Sequence, residues 1–514
     1  MKRNGGWGIA ALLLVSSLLS TVPLVAAETD TRLVEAVRAG NRARVRTLLQ
    51  QPAINVNEVL GSGTTALHWA AYQDDLETAE LLVRAGANVK AVNRYGVTPL
   101  SPACQNGNGA MVQLLLNAGA DPNTVLPGGE SVLMTAARTG KIEAMNALIS
   151  RGADVNAKVA ESGQTALMWA AAEGNVPAVE MLIKAGADLR AREQSGFTAF
   201  LYAVRDGQAN VVRSLLKSGT DVNETVQVAA RQTKRGRGGP TPSAGTSALS
   251  LAVVNGHFEL ATTLLEAGAD PNAAGQGWAP LHSISWYRKP GQGDNDPAPQ
   301  GSGSMTSLEL VKKLVDHGAN VNQRMTRNVN VAKTILNTNG STPFLLAART
   351  ADAELMRYLA KLGADPLIPN EDGSTPLMVA AGLGTRYPGQ DAGLEDEVVE
   401  AMQVALDLGN DINAVDRNGE TAMHGAAYKN SPAAVKFLTE KGAKIDVWNK
   451  KNRLGWTPLL IASGYRFGNF KPSPETEAVI RKVMTDAGVS TDVESASNCD
   501  TNADVICEGF TGAK

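Results

Sequence analysis

Aromatic side chains are scarce in this chain of 514 residues, at 4% of the total. That argues against one large globular core and suits thin layers built from Ala and Leu. Charge of one sign is missing too. The net charge is −3 and the pI about 6.1, so no global basic excess points to nucleic acid. There is no nucleophile elbow, P-loop, H-E-x-x-H helix or C-x-x-C-H haem site. Asp500, Asn502 and Asp504 are spaced like the start of a calcium loop. Val505 stands where its glycine belongs, however, and Thr511 where its glutamate belongs. Cysteine is limited to three residues. Cys104 reads as a small buried hydrophobe. Cys499 and Cys507 sit together in the tail, and an oxidising compartment would close them into a disulfide.

Such a compartment is implied by the first residues. Lys2 and Arg3 form a charged start, Ile9 to Leu19 an apolar run, and Val25-Ala26-Ala27 a small-residue cleavage site. A signal peptide over 1–27 is expected, which makes the mature chain periplasmic or secreted, with no membrane span once it is cleaved. The alternative is a retained anchor, because residues 5–27 carry no charge. Loss of residues 1–27 removes two of the 48 basic residues and no acid, so the mature charge is 46 − 51 = −5.

The stretch from Gly63 to Asn88, G-T-T-A-L-H-W-A-A-Y-Q-D-D-L-E-T-A-E-L-L-V-R-A-G-A-N, reads as two short helices and a turn. Thr65 can cap the first helix through its hydroxyl. Leu67, Ala70 and Ala71 give that helix an apolar side, and a polar turn follows at Gln73 to Asp75. Leu81 and Leu82 stripe the second helix, and Gly86 closes it in the left-handed conformation that glycine adopts without strain. The leading glycine recurs at Gly96, Gly129, Gly163 and Gly196, at spacings of 33, 33, 34 and 33. It returns after an interruption at Gly245, Gly277, Gly340, Gly373, Gly419 and Gly455.

A period near 33 with T-P-L-H-x-A on the first helix is the ankyrin signature. Here it reads Thr65-Ala-Leu-His68-Trp-Ala70, Thr98-Pro-Leu-Ser101, Thr375-Pro-Leu-Met378 and Thr421-Ala-Met-His424. The closing phrase reads Gly119-Ala-Asp-Pro-Asn123, Gly152-Ala-Asp-Val-Asn156 and Gly268-Ala-Asp-Pro-Asn272. The chain therefore resembles the ankyrin repeat family over roughly residues 30–490. The resemblance implies an all-α solenoid of about twelve stacked helix-turn-helix repeats with β-hairpin fingers.

The chain divides accordingly. An N-terminal capping repeat spans 28–60, with Leu33, Val34, Val37, Val45, Leu48 and Leu49 inward and Arg32, Arg38, Arg42, Arg44 and Arg46 outward. Regular repeats fill 61–223. A basic Gly/Pro-rich finger insertion follows at 224–244, and repeats with inserted loops occupy 245–413. The loops 288–304 and 384–396 fall between the helices of a repeat, at the edge opposite the fingers, and 323–339 lengthens a finger. C-terminal repeats and a cap, including a helix Glu475–Ala487, cover 414–489. The tail 490–514 lacks periodicity.

Family position also assigns roles. His68, His282 and His424 hold the fourth place of T-P-L-H, where the imidazole ties neighbouring units. His257 and His317 sit at other usual positions, so no histidine is needed for catalysis. Partner contacts in this family come from finger tips and from helix positions after the paired alanines. Transferred here, the tips are Tyr95, Phe197, Trp278 and Trp456, and the helix positions are Tyr72, Arg205, Trp286, Tyr287, Tyr428 and Tyr465; Trp, Tyr and Arg are the usual interface anchors. Trp69 and Trp169 read as core. The unit at Gly277 stands out, because Ile284 and Ser285 replace the alanine pair and a 17-residue loop splits its helices. Arg231, Lys234, Arg235 and Arg237 in one finger, with Arg324, Arg327 and Lys333 in another about 20 Å away, read either as solvated loops or as anion-seeking fingers. The expectation is a noncatalytic, monomeric scaffold that binds another protein on its concave face, with no catalytic residue, metal, cofactor or nucleic acid. The alternative is an enzyme, or an enzyme inhibitor or immunity protein, acting through the inserted loops or tail.

Overall fold

The computed structural model of the chain describes residues 30–227, 244–289, 299–329, 334–466 and 471–492. The expected leader, the basic group Arg231, Lys234, Arg235 and Arg237, Lys333, and the pair Cys499 and Cys507 lie outside them.

Six of the first helices start as their threonine caps predict. Thr65, Thr165, Thr198, Thr342, Thr375 and Thr457 adopt extended backbone, and each hydroxyl accepts the N–H three residues on. That satisfies one of the donors a helix start leaves free. Gly86, Gly119 and Gly152 follow the second helices at φ of +87°, +98° and +85°, where any side chain would be strained.

The first helices form one unbroken layer. They are Arg32–Arg38, Ala66–Tyr72, Leu100–Asn106, Val132–Arg138, Ala166–Ala172, Ala199–Arg205, Ala248–Val254, Pro280–Arg288, Pro343–Arg349, Pro376–Ala380, Ala422–Lys429 and Pro458–Ala462, each packed on the next. The second helices lie behind them and close the core. Paired alanines such as Ala70 and Ala71, or Ala170 and Ala171, are fully buried and let adjacent layers approach closely. At the irregular unit Ile284 and Ser285 are buried in their place, and Pro280–Arg288 still packs between its two neighbours. Stacking therefore continues through the interrupted half. Cys104 is fully buried in its first helix, and burial pushes its thiol pKa up.

Three kinds of polar link join the units. First, the asparagine of the closing phrase clamps the next repeat. Asn156 Nδ2 donates to Gly186 O at 3.0 Å and its Oδ1 accepts from Asp188 N at 2.8 Å. Asn57, Asn123, Asn223, Asn272 and Asn322 repeat the pattern. Second, the histidines bridge as expected. His68 Nδ1 accepts from Thr65 N, which leaves Nε2–H to donate to Val97 O at 2.9 Å. His282 reaches Gln323 O at 3.0 Å and His424 reaches Lys450 O at 3.2 Å in the same way. Third, successive fingers are joined by backbone bonds, as from Arg94 N to Ser62 O and from Glu371 N to Asn339 O.

Two expectations are corrected. The fingers are not β-hairpins among the described residues. Isolated bridges at Val59–Thr65, Val125–Ser131 and Thr225–Ser247 stand where a ladder was expected. The loop 384–396 does not stay at the edge opposite the fingers. Pro376–Ala380 stops early, and Gly384 O then accepts from Thr334 Oγ1 (2.8 Å) and Ile335 N (2.9 Å) of the lengthened finger. Gly384 makes this crossing possible, since a Cβ there would lie 2.5 Å from Leu336 Cβ. The described end of the loop 288–304 folds onto the preceding unit instead, where Ser302 Oγ meets His257 Nδ1 at 2.9 Å.

Burial of the bridging imidazoles sets a pH dependence. Burial lowers the pKa of both His282 and His424 to about 4. Between roughly pH 6.5 and 4 the unfolded chain therefore binds protons that the folded chain does not, and stability falls as pH falls, on the order of 3 kcal/mol for each. Glu420 has the opposite slope: burial and the nearby Asp416 raise its pKa to about 7, so its share of stability falls as pH rises from about 4.5 to 7. The urea midpoint is expected to drop between pH 6.5 and 4.5, and to drop further in Glu420→Gln. A flat or rising midpoint in that variant on acidification would contradict the assignment.

Candidate functional site

The groove between fingers and first helices differs between the two halves of the solenoid. The position four residues after the cap faces it: Tyr202, at this position, meets Phe197 of its own finger with ring centroids 5.2 Å apart, and Gln164 Nε2 of the preceding finger donates to its hydroxyl at 3.2 Å. Trp69 and Trp169 share that register. They are half-buried rather than core, and each lies beneath an arginine of the unit before, Arg38 at 5.3 Å and Arg138 at 4.9 Å from the ring centroid. Tyr72 packs edge-on to Trp69 at 5.9 Å and is 65% exposed. Arg38, Trp69 and Tyr72 thus make one arginine–aromatic ledge, and Arg138 and Trp169 another.

The finger row beside these ledges is apolar. Val59, Val92 and Val125 recur at 33-residue intervals, 40%, 60% and 58% exposed, and Tyr95 stands between them at 69%. With Tyr72 these account for five of the nine large apolar side chains exposed among the described residues, all on or beside the first three fingers. That concentration marks a surface left unpartnered within the chain.

In the second half the chain covers its own groove. Leu336 of the lengthened finger packs on Leu345 and Val379 of the first helices, and all three are buried. The loop 384–396 is fastened over this contact by Asp391. Its carboxylate accepts from Arg349 Nη2 (2.6 Å) and Thr385 Oγ1 (2.6 Å), and Lys429 Nζ lies 3.7 Å away. Burial alone would raise the Asp391 pKa, but the two cations hold it below the ordinary carboxylate value. Beside this roof lies a cleft of about 380 Å³ with Glu371, Asp372 and Glu420 in its wall. Tyr428 Oη donates to Glu420 at 3.0 Å, and Asn452 Nδ2 donates to the same oxygen at 2.9 Å.

The expected contact residues therefore separate. Tyr72 and Tyr95 are the exposed pair. Phe197, Tyr428 and Trp456 are buried, at 5%, 1% and 3% exposure, and are corrected to packing roles. Phe197 rests on Tyr202, and Tyr428 is enclosed by the Glu420–Asn452 network. Arg205 is spent on Tyr202, at 4.7 Å, and on Asp206, at 2.7 Å. The patch at the irregular unit divides. Trp278 and Trp286 pair at 5.7 Å, whereas Tyr287 packs on Phe258 of the preceding unit at 4.8 Å. Tyr465 is half-buried. Arg324 and Arg327 are exposed, and Arg324 donates to Pro369 O at 3.1 Å. Sequence reading missed the valine row, although its 33-residue spacing was legible. It also missed the two indole–arginine ledges, because a tryptophan beside paired alanines looks like core.

A family model for ankyrin repeats in three copies matches residues 33–125, 133–226, 304–387 and 392–471, and a single-repeat model matches 244–276. The chain belongs to the ankyrin repeat family. Its repeats are similar to those of protein lin-12 of Caenorhabditis elegans, 32% identical over 146 residues, covering 28% of this chain and 9% of that one. Notch homolog protein 1 of Danio rerio is 32% identical over 192 residues, covering 33% and 7%. The human channel named transient receptor potential cation channel subfamily A member 1 is 26% identical over 211 residues, covering 39% and 15%. The chain thus spans no more than 15% of the length of these relatives. Among solved structures the ankyrin repeat domain of Bcl-3 matches at 31% identity with a TM-score of 0.35, covering 38% of this chain and 88% of that one. Ankyrin arrays of this kind are protein-interaction scaffolds.

The covered groove makes a measurable difference. Leu336→Ser should release the lengthened finger, so that trypsin cuts after Arg324 or Arg327 about tenfold faster for each 1.4 kcal/mol by which opening of the finger becomes easier, with helical circular dichroism unchanged. An unchanged cleavage rate would show that Leu336 does not hold the finger.

Proposed function

We propose that this ankyrin chain is a noncatalytic scaffold whose partner protein docks on the N-terminal fingers and the groove beside them. The observation that carries this reading is the concentration of exposed apolar side chains, Val59, Tyr72, Val92, Tyr95 and Val125, on and beside the first three fingers. Large aromatics on a rigid support contribute contact area with little loss of side-chain freedom, and the stacked backbone is already ordered before binding. Arg38 and Arg138, held over their indoles, add charge at the same edge, so a partner presenting apolar side chains flanked by carboxylates fits this surface. The second half, with Leu336 and the Asp391 loop over its groove, serves to extend and stiffen the array.

The N-terminal segment supports a further part of the reading. Lys2 and Arg3, the apolar run to Leu19 and the Ala26-Ala27 site fit an exported protein that works in the periplasm or outside the cell.

Affinity capture from the native envelope or secretome, read by mass spectrometry, identifies the partner. Tyr72→Ala combined with Tyr95→Ala should then weaken binding at least about tenfold while circular dichroism stays helical. Full retention of affinity in that variant would exclude the N-terminal fingers as the contact surface. Sequencing the N-terminus of protein recovered from the envelope or medium should return a chain starting near Glu28. Recovery of chain beginning at Met1 in a membrane fraction would replace cleavage by a retained anchor.

A further inference from the structure

A small cavity near the C-terminal end has three cationic side chains and no acid among the described residues that line it. It measures about 170 Å³ and is lined by Arg386, Tyr387, Pro388, Gln390, Arg466 and Lys471. Arg386 comes from the loop folded over the groove, and Arg466 and Lys471 from the last repeat. The cavity therefore exists only because the Asp391 anchor brings that loop across.

Arg466 is 6% exposed, yet its hydrogen bonds run only to neutral acceptors. Nη1 donates to Tyr428 O at 2.8 Å, and Nη2 to Ala427 O at 3.4 Å and to Asn430 Oδ1. These bonds close the free carbonyl end of Ala422–Lys429. Its Nε is buried and has no hydrogen-bond partner among the described residues, and the same is true of Arg386 Nε. The Asp391 carboxylate of the same loop is engaged by Arg349, Thr385 and Lys429 and does not line the cavity. Burial of the Arg466 guanidinium lowers its pKa to about 10. An unneutralised guanidinium held out of water is costly, and fixed N–H donors beside it make a strong oxyanion receptor. Tyr387 holds Arg386 in place, its ring centroid 5.2 Å from the guanidinium carbon.

We propose that this cavity is a binding site for a compact oxyanion, a phosphate or carboxylate group, received by Arg386, Arg466 and Lys471. The site is separate from the N-terminal docking surface and stands or falls independently of it. It gives the inserted loop 384–396 a purpose that stacking alone does not require.

The test uses the full chain and titrates inorganic phosphate, and separately acetate, by isothermal calorimetry at constant ionic strength. Arg466 is left intact because it closes a helix end. The variant is Arg386→Gln with Lys471→Gln, which keeps the Asp391 anchors, and its fold is checked by circular dichroism. Saturable binding of either anion by the wild type, weakened at least about tenfold in the folded double variant, is the expected result. Tighter phosphate identifies a phosphate group and tighter acetate a carboxylate. No saturable binding of either anion up to tens of millimolar, or binding unchanged in the variant, overturns the site.

Discussion

The joint between one repeat and the next is the constraint on which this molecule depends. A single unit exposes an apolar face on each side, so it is stable only when its neighbours cover both. Apolar contact alone would let layers slide. The closing asparagine prevents that, because one side chain donates to a carbonyl and accepts from an N–H two residues apart on the next unit. The pattern holds across the ordinary junction at Asn156 and across the interrupted ones at Asn223, Asn272 and Asn322. Insertions of very different length are therefore tolerated: the first-helix layer runs past each of them. The clamp is kept at all of these junctions, although Leu367 replaces the asparagine ahead of the loop 384–396.

With the stack held by these links, the inserted loops are free to differ. Their placement divides the solenoid. In the first half the arginine–aromatic ledges and the valine row remain open. In the second, Leu336 and the loop around Asp391 lie across the groove. The covering is held by charge as well as by apolar contact. Asp391 sits between Arg349 and Lys429 with its hydrogen bonds satisfied, the condition under which a buried ion pair is tolerated. Arg466 is the counter-example, a buried cation that meets only neutral oxygens.

Much of this was legible in particular residues. The Thr caps, the left-handed glycines, the paired alanines and the bridging His68, His282 and His424 all act locally or across one repeat, so a fixed period reveals them. The exposed Tyr72 and Tyr95 were found by the same means. The misses share a cause. Tyr428 is closed off by Asn452 of the next finger and Phe197 by the unusual Tyr202 of its own unit, and periodicity carries no record of either.

The sequence by itself therefore determined the solenoid, its approximate extent and the contacts that repeat every 33 residues, because these are interactions between neighbours at constant offset. Only the tertiary structure decided which half of the groove is open and where the Asp391 and Arg466 side chains end. Those contacts join residues 38 to 42 positions apart through loops whose paths follow no repeat. Burial and charge, not spacing, fix them.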